Sequence, residues 1–315
     1  MSTDMWQWFA KLKSRSRLEH FYLSHANNNQ VKLFVKRDDL IHPFISGNKI
    51  RKLEGNMYAA KNAGALQLLT FGGAYSNHLL ASAAAAKELN IPILGWIRGD
   101  ELNAKSNTIL HQCHQLGMKL NFINRSDFKE SKYESGLYPL QDKPTWFIPE
   151  GGANPEGILG CTEIYKEAVT QNNNLHFDAV FIAQGTTTTS LGLLASIPAT
   201  TQLFVVPVLK GFDAISEMQA LAQKAKQNPT TAHLEFPFSQ VRVLDTHHHG
   251  GYAKTTPELM DFIKTFNDTQ QFPIEPTYTA KSLLALQSQL PHLQSQSILF
   301  IHTGGVQTFS KDELL

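Results

Sequence analysis

Cysteine is nearly absent. Cys113 and Cys161 are the only two in 315 residues, too few for a disulfide framework and in keeping with a reducing compartment. An excess of charge of either sign is missing as well: 28 Lys and Arg stand against 27 Asp and Glu, a formal +1. That balance argues against both a polybasic nucleic-acid surface and a solvated acidic chain, and leaves a small, roughly neutral ligand as the expected partner. Long apolar runs are lacking too. The longest, Leu79 to Ala86, falls far short of the ~20 residues of a membrane span, and MSTDMWQWFAKLKSRSRLEH at the start scatters charges where a secretory signal would have an apolar stretch. A cytoplasmic chain without a membrane partner is the expectation. Lys311-Asp312-Glu313-Leu314 spells an endoplasmic-reticulum retrieval signal, but Leu315 follows it and such signals are read at the terminus.

With 20 glycines and 14 prolines the composition is not of low complexity, and no fixed-period repeat is present. The length predicts about two domains. His111, Cys113 and His114 invite a metal reading, yet their order points them to different sides of one helix and no second ligand pair completes a site. No metal is expected.

What is present is alternation. Apolar, β-rich runs begin at Val31, Leu66, Pro92, Lys119, Ala179, Gln202, Val241 and Ser297, separated by helix-like segments such as Asn77 to Leu89, with Ser76 or Asn77 as its cap. Continuous apolar strands between helices predict an α/β protein whose mostly parallel sheets are covered on both faces. Ligands in such folds sit beyond the carboxyl ends of the strands. The loops FGGAYSNH, AQGTTTTS and HTGGVQ occupy those places, and SGNKIRKLE from Ser46 opens a helix with a dense polar cluster.

Gly185, Thr186, Thr187, Thr188 and Thr189 combine a glycine, hydroxyls and a helix start, groups that can cradle a phosphate. The segment is neither a Walker loop nor a dinucleotide fingerprint, and by itself it fits a Thr-rich cap turn equally well. Gly47-Asn48-Lys49, with Arg51 and Lys52 following, offers a lysine whose pKa partial burial and the repulsion of neighbouring cations could lower toward useful nucleophilicity. Alone it reads as a solvated basic helix face. Together with the Ser76-Asn77-His78 turn, however, the set suggests pyridoxal phosphate held as a lysine Schiff base.

Here the sequence resembles the fold-type II pyridoxal-phosphate enzymes, and within them the D-cysteine desulfhydrase and 1-aminocyclopropane-1-carboxylate (ACC) deaminase branch. The resemblance runs from about Leu33 to Gln307. It is carried by VKRDDL at Val35 to Leu40, GNKIRKLE at Gly47 to Glu54, GGAYSNH at Gly72 to His78, EGGANPEG at Glu150 to Gly157, the loop at Gly185 to Thr189, and HTGG at His302 to Gly305. It implies that Lys49, not Lys52, is the Schiff-base lysine. Asn48, Asn77, Gly185, Thr186, Thr187, Thr188, Thr189 and Thr303 would bind the cofactor, and Ser76, Asn77 and His78 would face a small amino-acid substrate. Ser76, Tyr252 and Tyr278 join Lys49 as catalytic candidates, although a buried tyrosine is more often core. The run His247-His248-His249 reads as a loop, and Trp96 as a core strand residue.

The resemblance further implies two three-layer α/β domains: residues 56–160 as a small domain inserted into a large cofactor-binding domain of 1–55 and 161–315, and usually a homodimer. Two departures stand out. Thr187 occupies a place where the family often has glycine, and a positive φ there would cost roughly 1–2 kcal/mol; Leu80 stands where an arginine is common. Thr279 and Thr303 match the desulfhydrase pattern, whereas ACC deaminases have Glu and Leu. A hydroxyl beside the cofactor's ring nitrogen brings no negative charge, which suits α,β-elimination of a thiol better than cyclopropane ring opening. The expectation is therefore D-cysteine desulfhydrase, with ACC deaminase and a non-catalytic pyridoxal-phosphate or amino-acid binder as the alternatives.

Overall fold

The computed structural model describes residues 4–23, 31–45, 47–130, 136–140, 143–269 and 272–305. Ser46, Gln307 and the 311–314 signal lie outside them. Strands are β1 (Leu18–Phe21), β2 (Lys32–Lys36), β3 (Gln67–Gly73), β4 (Ile93–Arg98), β5 (Lys119–Ile123) and β6 (Gly136–Leu140). They continue with β7 (Lys143–Ile148), β8 (Ala179–Gln184), β9 (Gln202–Pro207), β10 (Val241–Val243) and β11 (Ser297–Ile301). They form a six-stranded sheet in the order β1-β2-β11-β8-β9-β10 and a five-stranded sheet in the order β5-β4-β3-β7-β6. Only the β1–β2 and β6–β7 pairs are antiparallel.

All eight expected strands are present, and β1, β6 and β7 were not anticipated. β7 lies between β3 and β6 and is buried from Thr145 to Ile148, but its apolar run is short and follows Lys143-Pro144; for β1 and β6 the physical reason is burial. β8 is buried at every position and so reads as an unbroken apolar run, as a strand covered on both faces must. In contrast, β1 and β6 are edge strands in which each apolar residue alternates with exposed ones or neighbours a proline.

Alternate side chains of each sheet enter separate cores. In the larger sheet Val180, Ile182, Val205 and Leu299 face one layer of helices. Phe181, Phe204 and Phe300 face the other, where the Phe181 and Phe204 rings stack at 4.4 Å. Leu68, Ile93 and Ile148 of the smaller sheet are buried on one side, and Leu69, Phe71, Leu94 and Phe147 on the other. Trp96 packs edge-on against Phe71, a core role.

The smaller sheet draws on one continuous stretch and the larger on both ends of the chain. The expected boundaries at 55 and 160 both fall inside helices, Asn48–Asn62 and Pro155–Cys161. These helices cross in backbone contact: a Cβ on Gly55 would lie 2.0 Å from Glu156 O, and one on Gly160 1.9 Å from Arg51 O. Only glycine permits that approach.

Candidate active site

A cavity of about 440 Å³ opens at the carboxyl ends of β3, β4, β7, β8, β9 and β11, within the size range of small-ligand sites. Its lysine wall is the first turn of the Asn48–Asn62 helix. The turn before it requires glycine: Gly47 has φ +64°, and a Cβ there would sit 1.7 Å from Thr303 O. Asp38 fixes the helix start by accepting the Gly47 N–H on its carbonyl at 3.1 Å. Its carboxylate accepts from Arg51 Nη2 at 2.9 Å and Ser16 Oγ at 2.6 Å.

Arg51 is therefore not part of the cation cluster inferred from the sequence. It is fully buried and also pairs with Glu167 at 2.8 Å. Helix phase explains the difference, since residues three apart share a face and residues two apart do not. Lys49 and Lys52 line the cavity together; Arg51 points away.

Lys49 Nζ donates to Asn48 Oδ1 at 2.6 Å. Its tip opens into the cavity, but enclosure by protein lowers its pKa to about 7, helped by the charge of Lys52. The repulsion expected from neighbouring cations is thus second to desolvation. Asn48 Nδ2 in turn donates to Thr189 Oγ1 at 2.9 Å. Lys52, likewise lowered, to about 8 by burial, donates to Thr186 Oγ1 at 2.9 Å and to Gly151 O at 3.1 Å.

Within the Thr loop the cavity wall is Gly185 and Thr186. Thr188 Oγ1 turns to Gly152 O, and Thr187 is buried. The helix begins at Thr188. Thr187 has φ −79°, so the strain expected of a β-branched residue in a left-handed turn does not arise. Leu80, at the place of the family's arginine, is buried and contributes to the wall.

On the β3 side Ser76 caps the Asn77–Glu88 helix through the Leu79 N–H at 3.4 Å. Asn77 Oδ1 is buried and has no partner among the described residues. His78 Nε2 meets Thr70 Oγ1 at 2.8 Å, and that hydroxyl donates to Ile148 O at 3.0 Å. Nε2 therefore carries the proton. Burial, then Lys52 and Lys49, push the His78 pKa down to about 3, so the ring is neutral.

Opposite, Thr303 lines the wall but Thr279 does not. The Thr279 hydroxyl donates to Glu275 Oε1 at 3.1 Å. Glu275 went unnoticed in the sequence. Its carboxylate accepts the N–H groups of Thr277, Tyr278 and Thr279 at 2.7 to 2.8 Å, and burial raises its pKa. Those bonds turn the carboxylate toward its own loop, while Thr303 lines the cavity. Tyr278 and Tyr252 close the wall with rings 6.1 Å apart, edge to face. Tyr252 is 46% exposed, and burial with the neighbouring Tyr252 raises the Tyr278 pKa well above its usual value.

The model of the family described as "Pyridoxal-phosphate dependent enzyme" matches residues 18–304. The chain belongs to this family. Its cofactor is pyridoxal phosphate, and the residues in the cavity fit it. The orphaned Asn77 Oδ1 lies in the wall, Lys52 and Thr186 form a cationic and hydroxyl cradle, and a Cβ on Gly185 would come 2.9 Å from the Tyr278 ring, keeping the loop flat.

Among relatives, the chain is 31% identical over 289 residues to a Pyrococcus furiosus protein named "Putative 1-aminocyclopropane-1-carboxylate deaminase", covering 87% of this chain and 84% of that one. It is 26% identical over 288 residues to the D-cysteine desulfhydrase of Yersinia pestis, covering 87% and 86%. A crystal structure of an ACC deaminase homologue superposes with a TM-score of 0.79 at 23% identity, over 98% of this chain and 96% of the other. The fold is thus that of the fold-type II enzymes, and the chain is a pyridoxal-phosphate enzyme of the ACC deaminase and D-cysteine desulfhydrase group.

Proposed function

We propose that the chain is a carbon–sulfur lyase that converts D-cysteine to pyruvate, ammonia and sulfide. The observation that carries this reading is Thr303 in the wall, a neutral residue, with the Glu275 carboxylate turned away into its own backbone. A neutral donor there gives less support to full protonation of a pyridine nitrogen than a facing carboxylate would.

When bound, pyridoxal phosphate supplies an aldehyde for amine capture and an electron sink for charge developing at the substrate α-carbon. The protein's part follows from its own groups. Lys49 is the Schiff-base lysine of the reading. With a pKa near 7 it is in large part neutral at physiological pH and able to take the α-proton as a general base. Asn48 holds its amine in place. Lys52 and Thr186 hold the phosphate, an addition to the uncharged cradle expected from the sequence. Ser76, Asn77 and neutral His78 form the substrate side. Tyr278, kept protonated by its raised pKa, can donate to sulfur as the C–S bond breaks and its electron pair leaves with the sulfur. Residues 56–160 are taken as the small domain and 1–55 with 161–315 as the large one, joined through the glycine-packed helices.

ACC deaminase is the second reading, favoured by the name of the Pyrococcus relative. Assaying one holoenzyme preparation for pyruvate from D-cysteine and 2-oxobutyrate from ACC separates them. A dominant ACC activity overturns the lyase reading. Borohydride reduction followed by peptide mapping places the pyridoxyl group; a label on Lys52 instead of Lys49 would overturn the residue assignment.

A further inference from the structure

Lys281 lies outside the cavity wall and has no part in the chemistry above, yet it is fully buried. It stands one helical turn after Tyr278 in the Thr279–Gln289 helix, on the same face. Its ammonium donates to Gly251 O at 2.7 Å, the carbonyl of the residue immediately before Tyr252.

The loop it reaches has an unusual backbone. His249, Gly250, Gly251 and Ala253 have φ of +47°, +93°, +112° and +53°, so Tyr252 is flanked on both sides by left-handed residues, two of them not glycine. Such conformations persist only where the surroundings determine them. Most of the loop's hydrogen bonds are internal: Gly251 N to His248 O, Lys254 N to Gly251 O, Gly250 N to His248 Nδ1, and His249 Nδ1 with Thr256 Oγ1. Two bonds among the described residues tie it to the Thr279–Gln289 helix. One is the exposed contact of His247 Nε2 with Ser288 Oγ at 3.0 Å; the other is Lys281.

We infer that Lys281 is a positioning residue that anchors the 249–254 loop and thereby holds Tyr252 against Tyr278 at the cavity mouth. Burying an ammonium with one strong acceptor is costly, and burial lowers the Lys281 pKa to about 8 while Glu275 opposes the shift. The anchor joins the two phenols through one short path: Tyr278, one helical turn, Lys281, Gly251, Tyr252. Since Tyr252 is half exposed and the loop's other bond to that helix, His247 with Ser288, is an exposed one, losing the anchor frees the ring while leaving the Lys49 and Thr186 side intact.

The consequence for turnover rests on the lyase reading; the placement of the loop does not. The test compares wild-type holoenzyme with Lys281→Met, Lys281→Arg, Tyr252→Phe and the Lys281→Met/Tyr252→Phe double variant. Hydrogen exchange should rise several-fold across 245–256 in Lys281→Met and nowhere else, with cofactor content unchanged. With D-cysteine, kcat/KM should fall between about 10- and 100-fold. In the Tyr252→Phe background the same change should cost little more, because its effect passes through the phenol.

Lys281→Arg, which keeps the donor, should recover most of both properties. Should Lys281→Met not accumulate as folded holoprotein, Lys281→Gln, whose amide is too short to reach Gly251, takes its place with the same readouts. Unchanged exchange over 245–256 overturns the proposal, and so does a penalty that is equal with and without the Tyr252 hydroxyl. If wild type carries cofactor on Lys49 but ignores D-cysteine, the lyase reading fails by itself, and the exchange arm still decides the anchor.

Discussion

Replacing Lys52 by methionine tests the assignment that most changes the picture drawn from the sequence. The ammonium is buried, 2.9 Å from Thr186 Oγ1 and 3.1 Å from Gly151 O. With a pKa of about 8 it is mostly protonated at pH 7. Methionine keeps the stem's bulk and removes the charge. A hydrogen bond to a charged partner contributes about 1.5–3 kcal/mol, and each ~1.4 kcal/mol is tenfold in affinity, so the dissociation constant for pyridoxal phosphate should rise about 10- to 150-fold. The change has a second effect of opposite character. The Lys52 charge disfavours protonated Lys49, so removing it raises the Lys49 pKa above about 7 and shrinks the neutral fraction at that pH. Absorbance titration of apoprotein gives the affinity; the pH midpoint of Lys49 labelling by an amine reagent gives the shift. An affinity within threefold of wild type would remove Lys52 from the cradle. A midpoint that moves down would refute the electrostatic reasoning outright.

Asp38→Asn should cost about 3–5 kcal/mol of stability, because it leaves the buried Arg51 without its full counter-charge; denaturant melts check it, and a loss under 1 kcal/mol would sink the idea. Gly160→Ala places a Cβ 1.9 Å from Arg51 O and should destabilise by about 3 kcal/mol or more, read from the same melts; an unchanged midpoint contradicts the helix crossing. His78 gives a pH signature. Its pKa falls from 6.5 to about 3 in the folded protein, so below pH 6.5 the unfolded chain takes a proton that the native state refuses. That penalty is absent above pH 6.5, grows as pH falls toward 3, and reaches about 2 kcal/mol at pH 5. His78→Gln apoprotein should therefore lose less stability than wild type between pH 7.5 and 5, and parallel losses would contradict the buried neutral ring.

Where the sequence was legible, one physical cause repeats. Strands buried on both faces must be apolar throughout, so β3, β4, β8, β9 and β11 announce themselves, whereas β1 and β6 at the sheet edges mix exposed residues into the pattern. Ser76, Asn77 and His78 after β3, Gly185 and Thr186 after β8, and Thr303 after β11 are legible because they occupy loops after such strands, and the cavity adds Lys49, Tyr252 and Tyr278 from other segments. What misled was treating neighbours in sequence as neighbours in space. Arg51 was grouped with Lys49, although the helix turns it toward Asp38 and Glu167. Thr279 adjoins Tyr278, which lines the cavity, yet the Glu275 turn draws it inward. The spacing that would have corrected the first was present: Lys49 and Lys52 stand three residues apart and share a helix face.

The same geometry sharpens the argument about reaction choice. Neutral residues at the ring side suit elimination only where no carboxylate faces the ring, and the fold brings one, Glu275, to lie behind Gly305, where a Cβ would touch its Cγ at 3.4 Å. What decides its influence is orientation, since three backbone N–H groups and the Thr279 hydroxyl take its oxygens. Thr303→Glu would therefore set a second carboxylate beside one already held, in a pocket where burial raises the pKa of Glu275. Like charges in one site cannot both ionise cheaply, so the introduced acid should itself be shifted up and act as a weaker partner to the ring than its charge suggests. The lyase reading then predicts reduced pyruvate release from D-cysteine at pH 8, where the new carboxylate is ionised, and a smaller reduction at pH 6. Equal losses at both pH values would show that the residue acts by shape instead of charge.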